Sequence, residues 1–175
     1  MIRKAEVILQ DWDLMQIVNG REIMPPSPKV SHQKISRKLQ KILERFVEER
    51  NLGEVFNAPL DVIFEENLNR VQPDLIFISK ENREIANGDW IRGVPDLLAE
   101  IVSKSSVHLD TTEKKELYER YGVKEYWIVL PEYARVEVYS LENDHYKLFS
   151  TAADHQIIDL GLLSGLAFSV NQLFD

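Results

Sequence analysis

Leu97-Leu98-Ala99-Glu100-Ile101-Val102-Ser103 is an apolar run broken by a single carboxylate, and its reading decides the architecture. Apolar residues at both parities predict a strand covered on both faces. Side chains alternate along a strand, so Leu98, Glu100 and Val102 share one face while Leu97, Ala99 and Ile101 line the other. Glu100 is the anomaly in this run. An isolated buried charge costs several kcal/mol or neutralises itself by a shift in pKa. Such a residue calls for a lysine partner, another cation or a metal, unless it is an end-of-strand Glu that reaches solvent.

Upstream, Val71 to Ser79 reads as a strand, with Asp74 on one face beside Ile76 and Ile78. Pro73-Asp74 alone is ordinary turn chemistry. Its weight comes from Glu100, because two strands can then bring two carboxylates to one point, which is what Mg²⁺ asks of a protein. Pro59 to Phe64 reads as another strand, and residues 80 to 94 as a polar loop.

Further upstream, Ile35, Leu39, Ile42 and Phe46 recur at helical spacing, widened by Leu43 and Val47. Ser27 is the expected N-cap, with Pro28 at the first helical position. Asn51-Leu52-Gly53 closes this helix with residues that tolerate a left-handed backbone. Pro25, Pro26 and Pro28 make an extended connector before it, and Asn19-Gly20 a tight hairpin turn.

Downstream, Thr111 to Tyr121 predicts a second helix closed by Gly122. Asp110, Lys114, Tyr118 and Tyr121 fall on one face of it. Lys114 therefore belongs to the sheet-facing stripe, and Lys115 points about 100° away. A lysine aimed at the strand of Glu100 suggests a pair or an active-site group. The plainer alternatives are a snorkelling stem or an Asp110–Lys114 helix pair. Strands follow at Glu125 to Leu130 and Arg135 to Leu141, joined by Pro131-Glu132-Tyr133, then at His145 to Thr151. The tail Ser169 to Asp175 suggests a short helix, and Trp127 is expected in the core. Hairpin, helix, strands, helix and strands assemble most naturally as one α/β domain, a mixed central sheet flanked by helices.

The 175 residues suit one domain able to bury a sizeable core, and 44% apolar with 29% charged residues is the composition of a soluble globular protein. Lys+Arg at 21 against Asp+Glu at 29 gives a net charge of −8, which argues against a surface coated for nonspecific nucleic-acid binding. A local basic groove is still compatible with it. Lys34, Arg37, Lys38, Lys41 and Arg45 do form a second stripe on the long helix, diluted by Glu44, Glu48 and Glu49. Such a stripe either contacts a phosphate backbone or is a solvated face. Zero cysteines exclude disulfides, thiolate metal sites and cysteine nucleophiles. The start, M-I-R-K-A-E-V-I-L-Q, has too short an apolar run for a signal peptide, and no stretch is long enough to span a membrane; the cytoplasm is the expected location. His32, His108, His145 and His155 lack metal-ligand spacing and are expected to be structural. There is no glycine-rich phosphate loop and no nucleophile elbow.

Four segments in order, Q-P-D-L-I-F-I, G-V-P-D-L-L-A-E-I-V-S, D-T-T-E-K-K-E-L-Y and Y-G-V-K-E-Y-W-I-V, resemble the bacterial putative restriction endonuclease family of the PD-(D/E)XK nuclease superfamily. The similarity runs from about Asn19-Gly20 through Tyr139. It implies a restriction-endonuclease-like fold over residues 1–175. It also implies a Mg²⁺-dependent endonuclease (Mn²⁺ serving as well), a hydrolase acting on phosphodiester bonds in DNA. Asp74 falls at the family's first metal-binding aspartate and Glu100 at its second acidic position, with the Ile101 carbonyl as a further metal ligand. The wider superfamily has a lysine two residues after the acid, where this chain has Val102. The family resembled is apolar there too, with a lysine on the next helix in D-x-x-x-K-x-x-x-Y, matched by Asp110, Lys114 and Tyr118. Lys114 thus agrees with the helical-face reading, which is independent of the family.

Gln16 stands where the family pattern commonly has Glu, Leu130 where Asp is usual, and Ser103-Lys104-Ser105-Ser106 where Ser-Pro-Ser-Thr is usual. Besides a nuclease, two other readings are open. One is a non-catalytic nucleic-acid-binding or protein-interaction scaffold. The other is a buried structural network of Asp74, Glu100 and Lys114. A homodimer would suit a two-strand cut.

Overall fold

The computed structural model describes residues 14–175; the N-terminal decapeptide, read above as too short for a signal peptide, lies outside them. Asn19 (φ 52°) and Gly20 (φ 75°) form the expected turn, joining β1 (Gln16–Val18) to β2 (Arg21–Ile23) with Val18 opposite Arg21. Helix α1 follows at Val30–Arg50, and Lys29 rather than Ser27 is its N-cap. Residues 27–31 are all exposed, so no burial rewards an earlier turn. Asn51, at φ 54°, takes the left-handed C-cap.

Gly53 does not serve that cap. It opens a strand absent from the sequence reading, β3 (Gly53–Asn57), whose residues alternate too weakly to announce it. β3 lies against the later strand Leu75–Ser79 with Gly53 opposite Ser79. A Cβ on Gly53 would stand 2.0 Å from the Ile78 carbonyl oxygen, a contact that only backbone movement relieves. Gly53→Ala is therefore expected to destabilise the protein by about 2–3 kcal/mol, read as a lower urea midpoint with unchanged slope. A wild-type midpoint would mean that this edge pairing contributes nothing.

The strand expected at Pro59 to Phe64 starts later, as β4 (Val62–Glu65). The one expected at Val71 to Ser79 is two strands, β5 (Asn69–Val71) and β6 (Leu75–Ser79), in different sheets. Pro73 breaks it, having no N–H for a ladder. The loop at 80 to 94 contains a 3₁₀ segment, Lys80–Ala86, and β7 (Ile91–Arg92), which pairs parallel to β4.

The deciding run is β8 (Leu97–Ile101), two residues shorter than read, although Val102 N–H still bonds the Val129 carbonyl at 2.9 Å. A π-turn at Leu109–Glu113 leads into α2 (Lys114–Tyr121), which ends on Gly122 at φ 83°. Strands β9 (Glu125–Leu130), β10 (Arg135–Glu142) and β11 (His145–Ala153) follow as expected within two residues. A small ribbon of β12 (Ile157–Asp159) and β13 (Ala167–Ser169) was not expected; α3 (Asn171–Phe174) was.

The mixed sheet is six-stranded, in the order β11-β10-β9-β8-β6-β3, with only β8 and β9 parallel. A second sheet, β2-β1-β5-β4-β7, accompanies it. β8 is buried on both faces, with the predicted parity. Leu97, Ala99 and Ile101 join Leu39, Leu43 and Phe46 of α1, while Leu98 and Val102 join Leu117 and Tyr118 of α2. Each fully buried Leu in these layers contributes about 1.5–3 kcal/mol. Trp127 is fully buried with them. Among the described residues no helix is long and apolar enough to cross a membrane.

Candidate active site

Pairing of Leu75 with Ala99 sets β6 against β8, and two steps along that register Pro73 faces Ile101. Val102 turns its N–H to β9, so the N–H and C=O of Ile101 face β6. Pro73 offers no N–H there, which leaves the Ile101 carbonyl outside the ladder. The Ile101 N–H finds a side chain instead, donating to Oδ2 of Asp74 at 2.7 Å. A strand end is thus converted into a site where a carboxylate and a main-chain oxygen lie together.

Glu100, on the opposite parity from Ile101, enters the layer under α2. Its Oε1 accepts hydrogen bonds from Lys114 Nζ and Tyr118 Oη, both at 2.8 Å. The side chains of Glu100 and Lys114 are only 4% and 2% exposed. Asp110 Oδ1 lies 3.7 Å from Lys114 Nζ. Asp110 and Lys114 keep a shared side across the π-turn, in which the Lys114 N–H bonds back to the Leu109 carbonyl, five residues earlier. Wide turns of this kind recur at functional sites. The loop before it is tied by its serines, Ser106 Oγ accepting the Ser103 N–H at 2.9 Å.

Burial pushes the Glu100 carboxyl up to about 8, against the opposing pull of Lys114 and with a further push from Asp110 and Asp74. Burial also raises Asp110. Lys114 feels the same burial downwards, yet Glu100 and Asp110 hold it above the usual lysine range. It is therefore a cation in this setting. Tyr118 is raised well above a free tyrosine by burial and by Glu100, so it stays a donor.

His32, expected to be structural, lies against Asp74, a contact that was not expected. Its Nε2 lies 3.2 Å from Asp74 Oδ2. Burial lowers its pKa, but Asp74, Glu100 and the Ile101 carbonyl more than offset this and raise it. Its only sequence signal was its place in the first turn of the long helix; its reach to Asp74 is a tertiary fact. Gln16 is buried and accepts the Gln72 N–H at 3.1 Å, bracing the turn that carries Asp74. Lys115 leaves the site as expected and sits over the Tyr139 ring at 3.5 Å. The basic stripe does not join the acidic group: Lys34, Arg37, Lys41 and Arg45 are exposed, Arg45 pairs with Glu49, and Lys38 donates to the Asp175 carbonyl. His108 and His145 are exposed and pair with Glu113 and Glu119.

Three oxygens suit a divalent cation here. Asp74 Oδ1 and Glu100 Oε2 have no hydrogen-bond partner among the described residues, and the Ile101 carbonyl is the main-chain oxygen left outside the ladder at the same strand end. These are hard donors, matched to Mg²⁺ or Mn²⁺. Among the described residues no three or more His, Cys, Asp or Glu side chains group into an all-protein cage. Mg²⁺ needs none, since one or two carboxylates suffice when water and substrate complete its shell.

No curated protein matches the chain. Among solved structures, the crystal structure of a "putative nuclease belonging to DUF820" from Anabaena variabilis ATCC 29413 superposes with a TM-score of 0.77. The identity is 18%, covering 91% of this chain and 89% of that one, so the likeness is one of fold. The family model Uma2, described as "Putative restriction endonuclease", matches residues 8–171. With nearly its whole length matched, the chain belongs to the Uma2 family, whose model carries that description.

Proposed function

We propose that the protein is a metal-dependent endonuclease that hydrolyses phosphodiester bonds in DNA, acting in the cytoplasm as one domain over residues 1–175. The observation that supports this best is the meeting of Asp74, Glu100 and Lys114 from the turn before β6, from β8 and from α2. Asp74, Glu100 and the Ile101 carbonyl would hold Mg²⁺ or Mn²⁺. When bound, such an ion supplies Lewis acidity towards the phosphodiester and the attacking water.

The chain's own residues do the rest. Lys114, held as a cation, is suited to stabilising charge that develops on the phosphate oxygens rather than to removing a proton. Tyr118 and Lys114 together fix Oε1 of Glu100, leaving Oε2 as the oxygen to offer. Burial of both groups excludes water and strengthens each of these interactions. Cutting both strands of a duplex is simplest with two such sites, which makes a homodimer the natural assembly.

The test is cleavage of plasmid and single-stranded DNA with Mg²⁺ or Mn²⁺, beside direct Mn²⁺ binding. Because the Glu100 carboxyl is pushed up to about 8, its proton must leave before the oxygen can serve a cation. Mn²⁺ affinity and cleavage are expected to be weak near about pH 6 and to rise towards about pH 9. A profile flat over that range would detach Glu100 from the metal. Neither binding nor cleavage at any pH would favour the scaffold reading, for which the net charge of −8 and Gln16 in place of Glu speak modestly.

A further inference from the structure

We propose, building on the metal-site reading above, that His32 is a positioning residue that clamps Asp74, so that Oδ2 is held by protein and Oδ1 is the oxygen presented to the cation. Asp74 lies on a turn just after Pro73, outside any strand, where its side chain is not set by a pleat. The Ile101 N–H fixes one oxygen at 2.7 Å, and a single bond leaves the carboxylate free to swing about it. A second contact on the same oxygen, from His32 Nε2 at 3.2 Å, fixes the plane. The two contacts come from different layers, Ile101 from the central sheet and His32 from α1.

The fold has no evident use of its own for this ring. Val30 and Ser31 beside it are exposed, and the first buried apolar residue of α1 is Ile35. The helix is capped at Lys29, without help from His32. The Nδ1 atom is buried and has no hydrogen-bond partner among the described residues, whereas a histidine kept for the core would have both nitrogens satisfied. Its polar neighbours are Asp74 and the Ile101 carbonyl, two of the three groups assigned to the ion. Partners that orient metal-binding carboxylates and imidazoles are worth 10–100-fold in metal affinity in well-studied sites, to order of magnitude.

Mn²⁺ titration calorimetry without substrate tests this on the wild type, His32→Met and His32→Gln. Methionine fills the volume without a donor, and the glutamine amide can donate to Oδ2 from about the place of Nε2. His32→Met is expected to bind Mn²⁺ roughly 10–100-fold more weakly at an unchanged urea midpoint, with His32→Gln recovering most of the affinity. A purely structural role would move the midpoint and not the affinity. Wild-type Mn²⁺ affinity in His32→Met overturns the clamp, as does a loss that His32→Gln fails to restore. So does a His32→Met chain that does not fold, since the ring would then belong to the core. A wild type that takes up no Mn²⁺ instead overturns the metal-site reading itself, an outcome separate from unchanged affinity in the variant.

Discussion

Glu100→Gln is expected to lower metal-dependent DNA cleavage by about a thousandfold or more and to leave a folded protein. Glutamine has the shape of glutamate and keeps an oxygen to accept the bonds that Lys114 Nζ and Tyr118 Oη now make at 2.8 Å. It removes the charge that would hold a cation. Stability should change little, because two effects oppose one another. Lys114 loses one anionic partner but keeps Asp110 at 3.7 Å. Against that, the folded protein no longer ionises a buried carboxyl. A carboxyl pushed up to about 8 on folding costs stability that grows as pH rises from the unfolded value of 4.5 towards 8. Glutamine abolishes that cost, so the urea midpoint of the variant should compare best with wild type near about pH 8. A buried structural network predicts the reverse, a marked loss of stability. Its support here is the near-complete burial of Glu100 and Lys114. A Glu100→Gln protein that cleaves at the wild-type rate would remove Glu100 from the site.

What the sequence discloses and what it conceals follow from the range of the interactions. β8 was legible because alternation along seven residues is a local property, and it placed Glu100 under α2 with the correct parity. Lys114 was legible for the same reason, its helical face being set by spacing to Tyr118 and Tyr121. Asp74 needed only its position before an apolar strand and the presence of Glu100. The second sheet was less visible, since β1, β2 and β5 have three residues each and β7 two, too few to show a period. β3 was hidden by Gly53, whose left-handed tolerance fits a helix end although its real use is to let the strand approach Ile78. The π-turn left no trace, because one wide hydrogen-bonded turn does not disturb the face that Asp110 and Lys114 share. The contact of His32 with Asp74 was the least visible of all. It spans 42 residues of chain and depends on how α1 crosses the sheet, which no local pattern encodes.

Lys114→Met is expected to produce the largest loss of stability among these variants, and a loss that depends on pH. The substitution roughly conserves volume and withdraws a buried cation from Glu100 and Asp110 together. Removing one partner of a buried pair costs about 3–5 kcal/mol when the other must stay charged. Here the carboxyls have an escape, since burial already raises both, and without the lysine they rise further. At about pH 5.5 Glu100, already pushed up to about 8, stays protonated in the fold and the deficit should be small. The unfolded chain ionises both from 4.5 and 3.8 upwards in either protein. The gap therefore opens where the wild type, with Glu100 at about 8, begins to ionise in the fold and the variant still resists, and it grows with pH from there. The wild type keeps its own advantage over this range, because Lys114 is held above the usual lysine value and deprotonates only in stronger alkali. Urea unfolding at about pH 5.5, 7 and 9 should therefore show the gap widening towards 3–5 kcal/mol; an equal gap at all three would make Lys114 a packing residue only. Cleavage should fall by about 10²–10³, as for loss of one donor to a developing anion. The double variant Glu100→Gln with Lys114→Met separates the two roles of the pair. It leaves no carboxylate at position 100 to be stranded, so it should recover a large part of the stability lost by Lys114→Met alone, a coupling that a double-mutant cycle measures. Activity should stay lost. Recovery of stability without recovery of cleavage is the result expected of a pair that is buried for chemistry and tolerated by the fold.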